Sequence, residues 1–206
     1  MKVSYAIPVC NEHVELEKLL SFLHEHIDEN DEIVVQCDKG NTTPEVDKVL
    51  GTWQGGPLKV IHFPLKGHFS NFKNNLKEHC TGDWIFQIDA DELPHESLIT
   101  NLKELLKINT NTEMLLVPRV NTVDGLTQEH INKWRWNVNE KGWVNWPDYQ
   151  TRIIQNSQKI KWQNKVHEQI VGISTKGALP AEEEWCLYHH KHIDKQEEQN
   201  NFYDTL

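Results

Sequence analysis

The sequence predicts an α/β domain in which a mainly parallel central sheet carries helices on both faces. Over the first 120 residues, apolar β-branched segments alternate with segments whose apolar residues recur at helical spacing. Strands that alternate with helices favour a parallel sheet. Polar or acidic residues also end three of the strand segments, at 9–12, 37–38 and 89–91. Ligands of such sheets bind at the carboxyl ends of the strands, so these ends are expected to line one crevice.

Each strand is predicted from its own residues. The first strand places apolar side chains at every second position from Val3 to Val9. The run from Trp84 to Ile88 is short, aromatic and β-branched, which is typical of a strand buried on both faces. The predicted strands are 2–9, 32–36, 58–63, 84–88 and 114–120, followed by short ones at 150–155 and 159–162.

The helices between the strands are predicted from apolar residues on one face. Leucines recur at helical spacing over 16–23, and Asn11 precedes them as the expected N-cap. Pro44 is expected to open a short second helix, because proline fits the first turn. Further helices are predicted at 69–76 and 98–106, and an exposed, charged helix at 194–201.

The composition limits the size and the partners of the chain. Its 206 residues suit a single domain with a sizeable core. The formal net charge of −10 makes nucleic acid and anionic membrane surfaces poor candidates for partners. No stretch approaches the ~18 consecutive apolar residues that a membrane span needs. The four cysteines are scattered without paired spacing, which predicts reduced thiols and a cytoplasmic protein.

The segment from Asp89 to Glu92, directly after the fourth predicted strand, is the strongest candidate for chemistry. Side chains of an extended segment repeat every second residue, so Asp89 and Asp91 are expected on the same side. Two adjacent carboxylates repel each other unless a cation lies between them, and their oxygens suit Mg²⁺ or Mn²⁺. Such a metal would bind a diphosphate. The alternative is a solvated turn or a helix cap, roles that an isolated Asp-x-Asp often has.

Several stretches occur together in a fixed order along the chain. They are Ile7-Pro8-Val9-Cys10-Asn11-Glu12, Cys37-Asp38, the run from Gly82 to Glu92, the run from Asp148 to Ile154, Lys165-Val166-His167-Glu168 and Leu187-Tyr188-His189-His190. In this order they resemble the family 2 glycosyltransferases, whose fold is the GT-A fold. The resemblance covers nearly the whole chain, and its motifs are specific only in combination.

The resemblance implies metal-dependent, inverting transfer of a sugar from a nucleotide-sugar, usually a UDP-sugar. The receiving hydroxyl would belong to a saccharide, a lipid-linked molecule or a protein. It also implies one GT-A domain over 1–206, with a nucleotide-sugar-binding half at 1–120 and an acceptor-side, catalytic half at 121–206.

Four residues are expected to bind the donor. Asp38 matches the acidic residue that contacts the nucleotide base in the family. Pro8 and Glu12 match positions around the base and the ribose. Arg152 is expected to contact the donor phosphates or the leaving diphosphate, and a salt bridge at the edge of the core is the equal alternative.

The metal and the catalytic base are implied by three further matches. Asp89-Ala90-Asp91 matches the motif that holds Mn²⁺ or Mg²⁺ and the diphosphate. His189 matches a histidine that often completes this metal site, with His190 and His192 as the other candidates. Glu168 matches the carboxylate that deprotonates the acceptor. Its alternatives are a plain surface carboxylate and a partner for His167, which is the rival base.

Two other functions remain open from the sequence. A sugar-phosphate nucleotidyltransferase would share the fold type and the metal, but it usually has a basic, glycine-rich loop after the first strand. Residues 8–12 contain neither glycine nor a basic residue. The second is a non-catalytic nucleotide-sugar-binding module, against which the paired aspartates, Glu168 and His189 argue.

Overall fold

Strands form the centre of the structure, a computed structural model that describes residues 1–166 and 168–203. The strands are β1 (Val3–Val9), β2 (Glu32–Asp38), β3 (Leu58–Phe63), β4 (Trp84–Gln87), β5 (Glu92–Pro94), β6 (Met114–Asp124), β7 (Val144–Gln155), β8 (Lys161–Gln163), β9 (Gln169–Val171), β10 (Lys176–Ala178) and β11 (Leu187–His192). Nine of them form the main sheet, in the order β3-β2-β1-β4-β7-β6-β11-β5 with β10 also paired to β6. β8 and β9 form a separate two-stranded sheet.

The helices lie on both faces of this sheet. They are α1 (His13–His26), α2 (Pro44–Thr52), α3 (Phe69–Glu78), α4 (Glu96–Thr100), α5 (Leu102–Ile108), α6 (Gln128–Trp134) and α7 (Ile193–Tyr203), with a 3-10 turn at Glu183–Trp185. Side chains of β1 alternate, so Tyr5 and Ile7 join one buried cluster with α1 and α2, while Ala6 joins a second with Leu76 of α3. None of the described helices has the length and apolar character needed to cross a bilayer.

The pairing of the strands confirms a mainly parallel sheet. β1 pairs in parallel with both β2 and β4, and β3 extends the same parallel group beyond β2. β7 departs from this pattern, because it is antiparallel to both of its neighbours, β4 and β6. The sequence predicted only the second half of β7, because its first half is partly exposed and polar and has no buried apolar run. β11 then returns to parallel pairing with β6.

The start of α1 differs from the prediction. The N-cap position belongs to Glu12, not Asn11, and no side chain caps the helix there. The Glu12 carboxylate instead accepts hydrogen bonds from the backbone N–H groups of Cys10 and Asn11, each at 3.0 Å. Asn11 is therefore not the cap, and Glu12 orders the loop that leaves β1.

Glu32, at the start of β2, ties the central strands to the loop before β4. Its carboxylate accepts hydrogen bonds from Ser4 Oγ at 2.6 Å, from the Thr81 N–H at 2.5 Å and from Lys2 Nζ at 2.9 Å. Burial raises the pKa of Glu32, but these hydrogen bonds outweigh burial and lower the pKa to about 2. A lowered folded-state pKa stabilises the fold at neutral pH, and that stabilisation is lost as the pH falls.

We therefore expect Glu32→Gln to lower the urea midpoint of unfolding at pH 7. The difference from the wild type should narrow as the pH falls from the ordinary value of 4.5 towards about 2. Urea unfolding over a pH series measures this, with the exposed Glu29→Gln as the matched control. A difference that stays constant with pH would assign the stabilisation to shape instead of charge.

Candidate active site

A cavity of about 750 Å³ opens beside the carboxyl ends of β1, β2 and β4. Nine residues that the sequence predicts for the site line it: Pro8, Glu12, Asp38, Asp89, Ala90, Asp91, Arg152, Glu168 and His189. The first six belong to segments that follow or end parallel strands, as expected for such a sheet. The last three are brought to the same cavity by β7, by the residue before β9 and by β11.

Asp38 ends β2 and is held in place at the edge of the cavity. It is 5% exposed, and its Oδ1 accepts from the Leu65 N–H at 2.9 Å. Its Oδ2 accepts from Asn41 Nδ2, also at 2.9 Å. A carboxylate oxygen can accept two hydrogen bonds, so Asp38 keeps the capacity to accept one from a ligand. Contact with a nucleotide base stays a prediction for this residue.

Asp89 and Asp91 lie in a tight turn. β4 ends at Gln87, and the Glu92 N–H donates to the Asp89 carbonyl at 2.9 Å. The Asp89 N–H donates in return to Glu92 Oε2 at 3.1 Å. The two aspartates are therefore joined by a turn and not by an extended segment, although both line the cavity. The turn gives each carboxylate its own neighbours.

Asp89 and Glu92 face a pair of arginines. Arg152 Nη2 donates to Asp89 Oδ2 at 2.5 Å and to Glu92 Oε1 at 2.6 Å. Arg119 Nη1 reaches the same Glu92 oxygen at 2.9 Å. Burial raises the pKa of Asp89, but the charges of Arg152 and Lys73 outweigh it and hold this pKa below its ordinary value. The structure thus contains the salt bridge named as one alternative for Arg152, and its phosphate contact stays a prediction.

Asp91 faces β11. Its Oδ2 lies 3.4 Å from His189 Nε2 and 3.7 Å from Lys195 Nζ. Burial raises the pKa of Asp91, but the hydrogen bond and charge of His189 outweigh burial and hold the pKa well below its ordinary value. Asp91 is therefore an ionised carboxylate beside an imidazole.

The alternation of side chains along β11 separates its three histidines between the two sides of the strand. His189 is buried on the side of the cavity, whereas His190 and His192 are exposed on the opposite side of the strand. His190 pairs there with Asp124, at 3.0 Å between Nε2 and Oδ2. Of the three candidates for the metal site, His189 is the one beside Asp91.

Glu168 is paired with a lysine that the sequence did not single out. Lys73 on α3 contacts Glu168 Oε1, and both side chains are 16% exposed. The Lys73 ammonium also lies 4.5 Å from the centre of the Trp162 ring. Glu168 is therefore ion-paired at the cavity wall. His167, the rival base, lies outside the described residues.

A profile of the glycosyl transferase family 2 matches residues 4–171, which is most of the chain. The chain belongs to this family. Among solved structures, the family 2 protein is similar to S. aureus TarS 1-349 in complex with UDP-GlcNAc, with a TM-score of 0.66 and 15% identity. That likeness covers 93% of this chain and 59% of the TarS chain.

Two further TarS structures show a similar fold. TarS 1-349 gives a TM-score of 0.64 and 14% identity, over 92% of this chain and 60% of that one. TarS 1-349 in complex with UDP gives a TM-score of 0.53 and 18% identity, over 62% of this chain and 38% of that one. These likenesses confirm the GT-A fold, and the family 2 protein spans about three fifths or less of the TarS chains. No curated protein sequence matches the chain.

The donor atoms beside the cavity fit a divalent metal in part. In the described part of the family 2 protein, no three His, Cys, Asp or Glu side chains are grouped closely enough to form a metal cluster. Asp91 and His189 nevertheless offer one carboxylate and one imidazole, which suit Mn²⁺, and substrate phosphates commonly supply further oxygens to such ions. Asp89 is already paired with Arg152, so its part in metal binding stays a prediction.

Sequence reasoning missed several polar residues of the family 2 site. Arg119 could have been predicted from the sequence, since it is a lone charge within an otherwise apolar strand segment. Asn121 lies beyond the end predicted for that strand. Asp148 begins one of the quoted family motifs but was given no role, and it lies in the half of β7 that has no apolar run. Lys73 had no signal, because lysines are common on exposed faces of helices.

Proposed function

We propose that the protein is a metal-dependent, inverting glycosyltransferase. It would move a sugar from a nucleotide-sugar, with a UDP-sugar favoured, to a hydroxyl of a saccharide, lipid-linked or protein acceptor. The observation that carries the proposal is that one cavity is lined by Asp38, the Asp91–His189 pair and Glu168. Support also comes from the similar fold of S. aureus TarS, one of whose crystal structures contains UDP-GlcNAc.

Asp91 and His189 would hold Mn²⁺ or Mg²⁺ at the donor diphosphate. The metal would neutralise negative charge that develops on the departing nucleoside diphosphate. Lys191 and Lys195 add positive charge on the same side, since Lys191 lines the cavity and Lys195 Nζ lies 3.7 Å from Asp91. Asp89 pairs with Arg152 and orders the turn that carries Asp91, and its predicted part in metal binding is tested by comparing Asp89→Asn with Asp91→Asn.

Glu168 would take the proton of the acceptor hydroxyl, which attacks the anomeric carbon from the face opposite the diphosphate. Lys73 contacts Oε1 of this carboxylate, so we assign Oε2 to the proton. The ion pair holds the side chain at the cavity wall in one orientation, which a general base requires. Residues 121–206, which contain Glu168, are accordingly proposed as the acceptor-side half and residues 1–120 as the donor half.

Donor hydrolysis tests the proposed function without knowledge of the acceptor. A panel of nucleotide-sugars is incubated with the protein in the presence of Mn²⁺ or of a chelator, and free nucleotide is measured. Slow, metal-dependent release of UDP from one UDP-sugar is the expected result. Failure of every nucleotide-sugar to bind or to hydrolyse would contradict the proposal. Binding without hydrolysis or transfer would favour the non-catalytic module.

Asp38→Ala tests the nucleotide side of the site. We expect UDP to bind about 10- to 100-fold more weakly, since a hydrogen bond to a charged group contributes about 1.5–3 kcal/mol. Binding of Mn²⁺ in the absence of UDP should not change, because Asp38 is bonded to Leu65 and Asn41 and not to Asp91 or His189. Calorimetric titration measures both affinities.

Asn41→Ala is the matched control for Asp38→Ala. It removes the 2.9 Å bond to Asp38 Oδ2 but leaves the carboxylate in place. Its UDP affinity should fall much less than that of Asp38→Ala. Equal UDP affinity in Asp38→Ala and the wild type would remove Asp38 from the nucleotide site.

A further inference from the structure

A chain of polar side chains runs along the wall of the cavity from Asp148 to Asp91. Asn121 Nδ2 donates to Asp148 Oδ2 at 2.9 Å, and Asn121 Oδ1 lies 2.7 Å from His189 Nδ1. His189 Nε2 then lies 3.4 Å from Asp91 Oδ2. The members come from β7, β6, β11 and the turn after β4, so the tertiary fold assembles the chain.

The direction of each bond in this chain is fixed at the Asp148 end. The Asp148 carboxylate also accepts from Arg119, at 3.0 Å from Nε and 2.7 Å from Nη2. Burial raises the pKa of Asp148, but Arg119 and Asn121 outweigh it and hold the pKa below its ordinary value. An ionised carboxylate only accepts hydrogen bonds, so the Asn121 amide must turn its NH₂ group towards Asp148.

The orientation of the Asn121 amide determines the proton position on His189. With its NH₂ group towards Asp148, Asn121 presents its carbonyl oxygen to His189 Nδ1, and that oxygen can only accept. Nδ1 must therefore carry a proton. The other nitrogen, Nε2, faces the ionised carboxylate of Asp91, which accepts a hydrogen bond from it in the metal-free protein, and a metal bound at Nε2 would replace that proton.

We propose that Asn121 is a positioning residue that keeps the His189 proton on Nδ1 and so makes Nε2 the metal-binding atom beside Asp91. A metal needs the lone pair of an unprotonated nitrogen, and the hydrogen bond made by the other ring nitrogen decides which nitrogen that is. The metal half of this inference rests on the proposed function. The proton position rests on hydrogen bonds of the protein alone, so it can be measured without metal or substrate.

The first experiment measures the proton position in metal-free protein. ¹⁵N NMR of the His189 ring at mildly alkaline pH distinguishes a protonated from an unprotonated nitrogen. We expect protonated Nδ1 in the wild type. Asn121→Ala should shift the proton from Nδ1 towards Nε2, because Asp91 still accepts a hydrogen bond whereas the new methyl group does not. Unprotonated Nδ1 in the wild type, or an unchanged ring in Asn121→Ala, would overturn the proposal.

The second experiment measures Mn²⁺ affinity by electron paramagnetic resonance. Asn121→Ala should bind Mn²⁺ about 10- to 100-fold more weakly, the usual effect of losing such a supporting partner. The double variant Asn121→Asp with Asp148→Asn exchanges the two groups at constant net charge. Its carboxylate at position 121 again accepts the Nδ1 proton, so most of the affinity should return. His190→Ala, on the exposed side of β11, should match the wild type.

The two experiments separate this inference from the proposed function. Wild-type Mn²⁺ affinity in Asn121→Ala would overturn the positioning role, whatever the activity of the protein. Absence of Mn²⁺ binding in the wild type would contradict both the metal part of the proposed function and the ligand role of Nε2. The NMR result would still decide whether Asn121 holds the proton on Nδ1.

Discussion

Glu168→Gln should bind UDP-sugar and Mn²⁺ like the wild type and lose about 10²- to 10⁴-fold in the rate of sugar transfer. Glutamine keeps the size and the hydrogen-bonding reach of the side chain but removes the base. A group needed only when the acceptor attacks affects turnover and not donor binding. Single-turnover transfer measured beside calorimetric titration of donor and metal separates these two quantities.

Two variants sharpen the result for Glu168. Glu182→Gln neutralises an exposed carboxylate outside the cavity and should transfer sugar at the wild-type rate. Lys73→Met removes the partner of Glu168 but keeps the base, so a smaller loss than in Glu168→Gln is expected. Near-normal transfer by Glu168→Gln, together with an inactive and folded His167→Ala, would move the base role to the histidine.

Asp91→Asn should abolish the dependence of UDP binding on Mn²⁺ while the fold stays intact. Asp91 lies beside His189 and takes no part in the pairs that Arg152 forms with Asp89 and Glu92. Its UDP affinity with Mn²⁺ should therefore fall to the level measured with a chelator. Titration of UDP with and without Mn²⁺, combined with thermal unfolding, measures both properties.

Asp89→Asn is the matched comparison for Asp91→Asn. It weakens the pair with Arg152, whose guanidinium is buried, and should cost up to about 3 kcal/mol of unfolding free energy. The two variants thus separate loss of metal from loss of stability. An Asp91→Asn protein with wild-type UDP affinity and the same Mn²⁺ dependence would refute the metal assignment.

The sequence predicted the fold well where local pattern determines structure. The residues of Val3–Val9 and the aromatic run that starts at Trp84 are buried in the structure. Their apolar side chains predict this burial, because each side chain of a strand lies on one face of the sheet. The placement of Asp38 and Asp91 at one edge follows from parallel pairing, which the alternation of strands and helices already implies. Such features depend on neighbours in the sequence.

The different roles of the three carboxylates in the turn could not be predicted in this way. Asp89 and Glu92 pair with Arg152, which arrives from β7, and Asp91 meets His189, which arrives on β11 beside β6. These partners are distant in sequence, and no periodicity connects them to the turn. The antiparallel direction of β7 could not be predicted for the same reason, since strand direction depends on tertiary pairing.

The position of β11 has a consequence for the order in which a newly made chain folds. β11 follows every other strand in the chain, yet it lies between β6 and β5. Among the described strands, β5 pairs with β11 alone, and β5 begins at Glu92. On the ribosome, all of these strands are synthesised before His189, so the part of β6 that pairs with β11, from Arg119 to Asp124, has no partner on that edge until then. A nascent chain therefore exposes a strand edge open to misassembly, and it gains its His189 ligand only when the last strand inserts.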